Sequence, residues 1–121
     1  MTGDSLKILL VDDKLMMRKI QGEILQSVGH HVNVVSSGIS ALEQVKLHCY
    51  DLILMDIQMP LMDGLETTKQ IRDGGINTPI VALTGNDSVE ERERCRHAGM
   101  DGFLAKPINL KHFNIQIQQL S

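Results

Sequence analysis

Lys7-Ile8-Leu9-Leu10-Val11-Asp12-Asp13 is the stretch that decides the fold. Five residues, four of them branched and apolar, run straight into two carboxylates. A short continuous apolar run reads as a strand buried on both faces, which is the habit of a parallel sheet. The same punctuation recurs downstream. His31–Val35 reads as a second, partly alternating strand. Asp51–Met55 reads as a third that stops at Asp56. Pro79–Leu83 reads as a fourth that stops at Thr84-Gly85, and Gly102–Ala105 as a short fifth that stops at Lys106-Pro107.

Helical spacing fills the intervals. Met17, Ile20, Ile24 and Val28 predict the apolar face of a first helix closed by Gly29. Gly38 to about His48 predicts a second, with Ile39, Leu42, Val45 and Cys49 on one face. Gly64 opens a third carrying Leu65, Thr68 and Ile71, and Gly74-Gly75 breaks it. Asp87 or Ser88 caps a fourth that runs to Ala98 before Gly99, with Val89, Cys95 and Ala98 as its apolar material. Asn109 caps a fifth with Leu110, Phe113, Ile117 and Leu120 on one face. The alternation is (βα)5. It predicts an α/β, doubly wound, five-stranded parallel sheet of flavodoxin-like order 2-1-3-4-5.

Composition removes other classes. The 121 residues fit one domain, expected over residues 6–121, after a tail or cloning remnant at residues 1–5. Fifteen acids against 12 bases give a net charge of −3, with no basic run, so direct nucleic-acid binding is not expected. No apolar stretch approaches the roughly 20 residues of a membrane span, and no secretory signal opens the chain. Two cysteines without CxxC spacing suit a reducing, cytoplasmic setting. The five histidines are scattered, and only His30 and His31 adjoin, so they carry no metal-ligand pattern. Composition does not fix the oligomeric state.

Ligands of open parallel sheets bind beyond the carboxyl ends of the strands, where strand order reverses. Strand one delivers Asp12 and Asp13 there, strand three Asp56, strand four Thr84 and strand five Lys106. Order 2-1-3-4-5 sets Asp12, Asp13 and Asp56 side by side. Two unit charges about 4 Å apart repel by roughly 4 kcal/mol at an effective dielectric near 20, so the cluster calls for a cation. Mg2+, a hard oxygen-preferring ion, fits. A carboxylate beside a metal, an ammonium and a hydroxyl can act as the nucleophile of phosphoryl transfer.

These residues, together with Leu54-Met55-Asp56-Ile57-Gln58-Met59-Pro60-Leu61-Met62-Asp63-Gly64, resemble the receiver domain of two-component response regulators over residues 6 to 120. The wording around Asp56 most resembles receivers of hybrid sensor histidine kinases. The resemblance implies that Asp56 accepts phosphate from a phosphohistidine on a histidine kinase or histidine phosphotransfer domain. It implies Mg2+ held by Asp12, Asp13, Asp56 and the backbone carbonyl of Gln58, with Lys106 and Thr84 on the phosphoryl group. It implies Thr84 and Phe103 as switch residues, a cis Lys106–Pro107 bond, and Gln58 and Asn86 as tuners of phosphate lifetime. Partners would read the surface of the fourth helix, fifth strand and fifth helix. The domain would promote its own phosphorylation and dephosphorylation.

Other readings fit less well. A stand-alone regulator shares the same site. A haloacid dehalogenase-type phosphatase resembles Asp-x-Asp, but position 58 is Gln, which cannot move the proton. A flavin or nucleotide binder carries a Gly- or Ser/Thr-rich loop after strand one, where this chain has Asp-Asp-Lys.

Overall fold

The computed structural model describes residues 5–85 and 88–120. Strands β1 (Lys7–Val11), β2 (His31–Val35), β3 (Leu52–Asp56), β4 (Ile80–Thr84) and β5 (Gly102–Ala105) alternate with helices α1 (Leu15–Ser27), α2 (Gly38–Leu47), α3 (Gly64–Asp73), α4 (Val89–Ala98) and α5 (Leu110–Gln119). All pairs are parallel, in the order β2-β1-β3-β4-β5. This is the doubly wound, flavodoxin-like arrangement expected, with its switch point between β1 and β3.

Strand period 2 sends alternate residues to opposite faces. Leu9, Val11, Ile53, Met55 and Ala82 meet Ala41, Leu65, Ile71 and Cys95 from α2, α3 and α4. Ile8, Leu10, Leu52, Leu54 and Val81 meet Leu25, Phe113 and Ile117 from α1 and α5. Central strands β3 and β4 are buried throughout, as near-continuous apolar runs predict.

Strands β3 and β4 begin and end one residue later than expected. Asp51 precedes the strand and pairs with Lys7 twice, its N–H donating to Lys7 O and its Oδ2 accepting the Lys7 N–H, each at 2.8 Å. Pro79 has no N–H to donate, and its carbonyl accepts from Ile53 at 2.9 Å. The shift matters because Asp56 and Thr84 become the last residues of strands rather than the first of loops.

Three helix faces differ from the sequence expectation. In α1 the buried stripe is Gln21, Gly22 and Leu25, while Ile20 and the C-cap Val28 are exposed. The helix carries two stripes about one residue apart, and the one that holds Leu25 faces the core. In α2, Ile39 and the following Cys49 are exposed and Ala41 is buried. In α4, Val89 is exposed and Glu91 is buried. Ser88 caps that helix by accepting the Glu91 N–H, and Gly99 closes it in the left-handed region at φ 106°. The alternative cap Asp87 lies outside the described residues, as do residues 1–4 of the expected tail. Ser5 Oγ donates to Gly29 O at 2.6 Å. Among the described residues, no helix is long and apolar enough to cross a membrane.

Away from the site, His30 is buried against Phe113, edge to face at 5.6 Å, and its Nδ1 accepts the Leu6 N–H at 3.0 Å. Burial holds its pKa below the ordinary 6.5. The unfolded chain therefore binds more protons just below pH 6.5, and stability falls as pH drops through that window. Urea denaturation at pH 7.5 and 5.5 should show a smaller acid loss in His30→Gln than in wild type. Asp56 titrates in both chains, so the difference isolates His30. Equal losses would contradict this reading.

Candidate functional site

The strands converge their polar residues at one edge, and hydrogen bonds just past the strand ends hold them there. Asp12 N–H donates to Val35 O at 3.2 Å, Ile57 N–H to Leu83 O at 3.2 Å and Lys106 N–H to Thr84 O at 2.9 Å. The Lys106–Pro107 peptide is cis, as expected.

Asp12, Asp13 and Asp56 each bring a carboxylate oxygen within 4.8 Å of the others. Asp12 is fully buried and Asp56 nearly so. Lys106 reaches across from β5 and places Nζ 3.0 Å from Asp56 Oδ1 and 3.4 Å from Asp12 Oδ2. Asp56, Gln58, Thr84, Gly85 and Lys106 line a cavity of about 100 Å³. Thr84 is buried in its wall. Gln58 is exposed at the mouth, and its N–H donates to Asp56 Oδ1 at 3.3 Å.

The oxygens divide into two groups. Asp12 Oδ1 accepts the Lys14 N–H at 2.9 Å, and Oδ2 faces Lys106 and Gln21 at 3.4 Å each. Asp13 Oδ1 and Asp56 Oδ2 are buried with no hydrogen-bond partner among the described residues. Orphaned buried carboxylate oxygens are costly, and a divalent cation bound between them would satisfy both. The donor set is all oxygen and anionic, which suits Mg2+.

Burial is the largest influence on the Asp56 carboxyl and pushes its pKa from 3.8 up to about 6. Its bond to Lys106 opposes that rise, and the Asp12 charge adds to it. Burial alone would lower the Lys106 pKa, but its bond to Asp56 and the charges of Asp56 and Asp12 outweigh it and hold it above the ordinary 10.5. The ammonium is therefore a permanent charge, and the Asp56 carboxylate is ionised at neutral pH without strong partners on both oxygens.

Phe103 sits outside this cavity, half-buried on β5, with the Arg92 guanidinium 5.0 Å above its ring. It lines a separate groove with Arg92, His112, Ile115 and Gln116, between α4 and α5. Asn86 lies outside the described residues. Cys95 is buried, and burial followed by the Glu91 charge pushes its thiol up to about 11, so it is an inert core residue.

Two α1 residues that contact Asp12 were not legible as site residues. Arg18 Nη1 donates to Asp12 O at 2.9 Å, and Gln21 Nε2 approaches Asp12 Oδ2. The available signal was their i, i+3 spacing on one stripe with Leu25, which the more apolar stripe masked.

A family model described as the response regulator receiver domain matches residues 8–118. The chain is 37% identical over 109 residues to the sensor histidine kinase RcsC of Salmonella typhimurium, covering 90% of this chain and 12% of that protein. The chain thus spans a small part of that protein's length. It is 36% identical, with a TM-score of 0.85, to the receiver domain of the sensor histidine kinase PA1611 from Pseudomonas aeruginosa, over 96% of this chain and 97% of that one. That crystal structure has a magnesium ion coordinated in its active-site cleft. A Saccharomyces cerevisiae co-crystal structure joins the histidine phosphotransfer protein Ypd1 to the receiver domain of its downstream response regulator Ssk1. It matches with a TM-score of 0.86 and 29% identity, over 95% of this chain and 88% of that one.

Proposed function

Because the chain belongs to the receiver-domain family of two-component response regulators, a family that works in phosphorelays, we propose that Asp56 is its phosphoacceptor. The observation that carries this reading is the orphaned Asp56 Oδ2, buried beside a cavity that Lys106 and Thr84 line.

A carboxylate oxygen of Asp56 attacks the phosphorus of a phosphohistidine. The P–N bond breaks, its electron pair leaves with the imidazole nitrogen, that ring takes up one proton, and an aspartyl phosphate forms. Lys106 turns from Asp56 Oδ1 to a phosphoryl oxygen, and the Thr84 hydroxyl donates to another. Lys106 Nζ already lies 3.0 Å from Asp56 Oδ1. Asp12, Asp13, Asp56 and the Gln58 backbone carbonyl would hold Mg2+, which would supply further neutralisation of the transferring group. Gln58 at the mouth and Asn86 tune access of the hydrolysing water. Thr84 draws on α4 as it moves and lets Phe103 turn inward, changing the surface of α4, β5 and α5 that partners read.

The donor is a histidine kinase or a histidine phosphotransfer domain. The parent protein is a hybrid sensor histidine kinase acting on the cytoplasmic side, a reading supported by the likeness to RcsC and PA1611.

Acetyl phosphate with Mg2+ tests the site. Intact mass should show one added phosphoryl group on wild type and none on Asp56→Asn. A phosphoryl group on the variant would overturn the assignment. Millimolar Mg2+ should raise Tm at pH 7.5, since a ligand of the native state stabilises it. The rise should shrink below about pH 6, where a proton competes for Asp56. A Tm indifferent to Mg2+ at pH 7.5 would contradict the metal site.

A further inference from the structure

The geometry points to Gln21 as a positioning residue of this site: its amide shares Asp12 Oδ2 with Lys106 and keeps that oxygen partnered when the ammonium moves to the phosphoryl group. The inference rests on Asp56 being the phosphoacceptor.

Gln21 is fully buried on the sheet-facing stripe of α1, where helical patterning calls for an apolar residue. Its Nε2 lies 3.4 Å from Asp12 Oδ2, and its Oε1 has no partner among the described residues. The opposite amide orientation would set a carbonyl oxygen against a carboxylate, so the N–H faces Asp12. A buried amide with one end unpaired costs the fold stability. Its polar contact is with the site, not with the rest of the core.

The need for that contact lies in Lys106. In the resting site the ammonium stands between Asp56 Oδ1 at 3.0 Å and Asp12 Oδ2 at 3.4 Å. Phosphorylation draws it away from Asp12. Asp12 is 0% exposed, so bulk water cannot replace the lost donor. With Gln21 in place, Oδ2 keeps an N–H, while Lys14 N–H stays on Oδ1. Without it, the departure of Lys106 would leave Oδ2 with no donor from the protein, and Lys106 would be held back.

Gln21→Met tests this, because Met has similar length and no N–H. Gln21→Leu is the second variant should Met pack poorly. The metal-free Tm should rise by roughly 3 °C, since an orphaned acceptor is removed. The rate of Asp56 phosphorylation by acetyl phosphate at saturating Mg2+ should fall roughly fivefold. The Mg2+ concentration giving half the Tm rise should stay within about twofold. Gain of stability, loss of rate and unchanged metal affinity together are not the signature of a packing residue. If wild type is phosphorylated on Asp56 and both variants keep its rate, the inference is overturned alone. A fall in Tm or in metal affinity alongside the rate would also overturn it, in favour of packing or general site damage. If wild type itself gains no phosphoryl group on Asp56, the phosphoacceptor reading falls and this one with it.

Discussion

Asp56→Asn is expected to abolish phosphorylation and, without metal, to stabilise the fold by about 2–3 kcal/mol at neutral pH. The loss follows from removing the attacking oxygen. The gain follows from the carboxyl's environment. Its pKa is raised from 3.8 to about 6, chiefly by burial, so the folded state binds the proton more tightly than the unfolded chain does. The wild type is thus relatively stable below about pH 4 and loses that increment as pH rises through about 6. An amide has no such titration. Urea denaturation of both chains in EDTA at pH 7.5 and 4.5 should show a gap that is large at the higher pH and small at the lower one. Saturating Mg2+ should narrow it at pH 7.5. A variant less stable than wild type at pH 7.5 would mean that the bond to Lys106 outweighs desolvation.

Gly64→Ala should be the most damaging single-methyl change at the site. Gly64 opens α3 just after the Asp63 cap, and its N–H donates to Ile57 O at 2.8 Å. A Cβ there would run into the carbonyl oxygen of Asp56 and lie 3.0 Å from Ile57 Cα. Both are backbone atoms at the end of a central strand, so neither can swing aside. The expected cost is about 3 kcal/mol or more. Any relief must displace Asp56 itself, so the phosphorylation rate should fall more than about tenfold, since small misplacements of reacting groups are expensive. Stability by urea denaturation and rate by intact mass check the two halves. A variant within about 1 kcal/mol of wild type that phosphorylates normally would show that the backbone yields there.

The strands and the ends that carry chemistry were legible in the sequence because both signals are local. Branched apolar runs stop at charged residues, as in Leu10-Val11-Asp12-Asp13, and the parallel sheet then sends those stops to one edge. The errors arose where distant partners decide. Asp51 precedes its strand, and its carboxylate accepts the Lys7 N–H. Gln21 is buried and Ile20 exposed, and the Gln21 amide meets Asp12 on another element. Hydrophobic periodicity cannot anticipate a polar residue whose partner is on another element. Nor could spacing divide the acidic cluster into a partnered Asp12 and the orphaned oxygens of Asp13 and Asp56, a division set by Lys14, Lys106 and Gln21.

Borohydride reduction of the acetyl phosphate-treated chain tests the central claim most directly, because it turns an aspartyl phosphate into homoserine in place. Peptide mapping should find homoserine at position 56 alone, and only when Mg2+ was present. Homoserine at any other position, or none at all in a chain that has gained a phosphoryl group, would contradict the account.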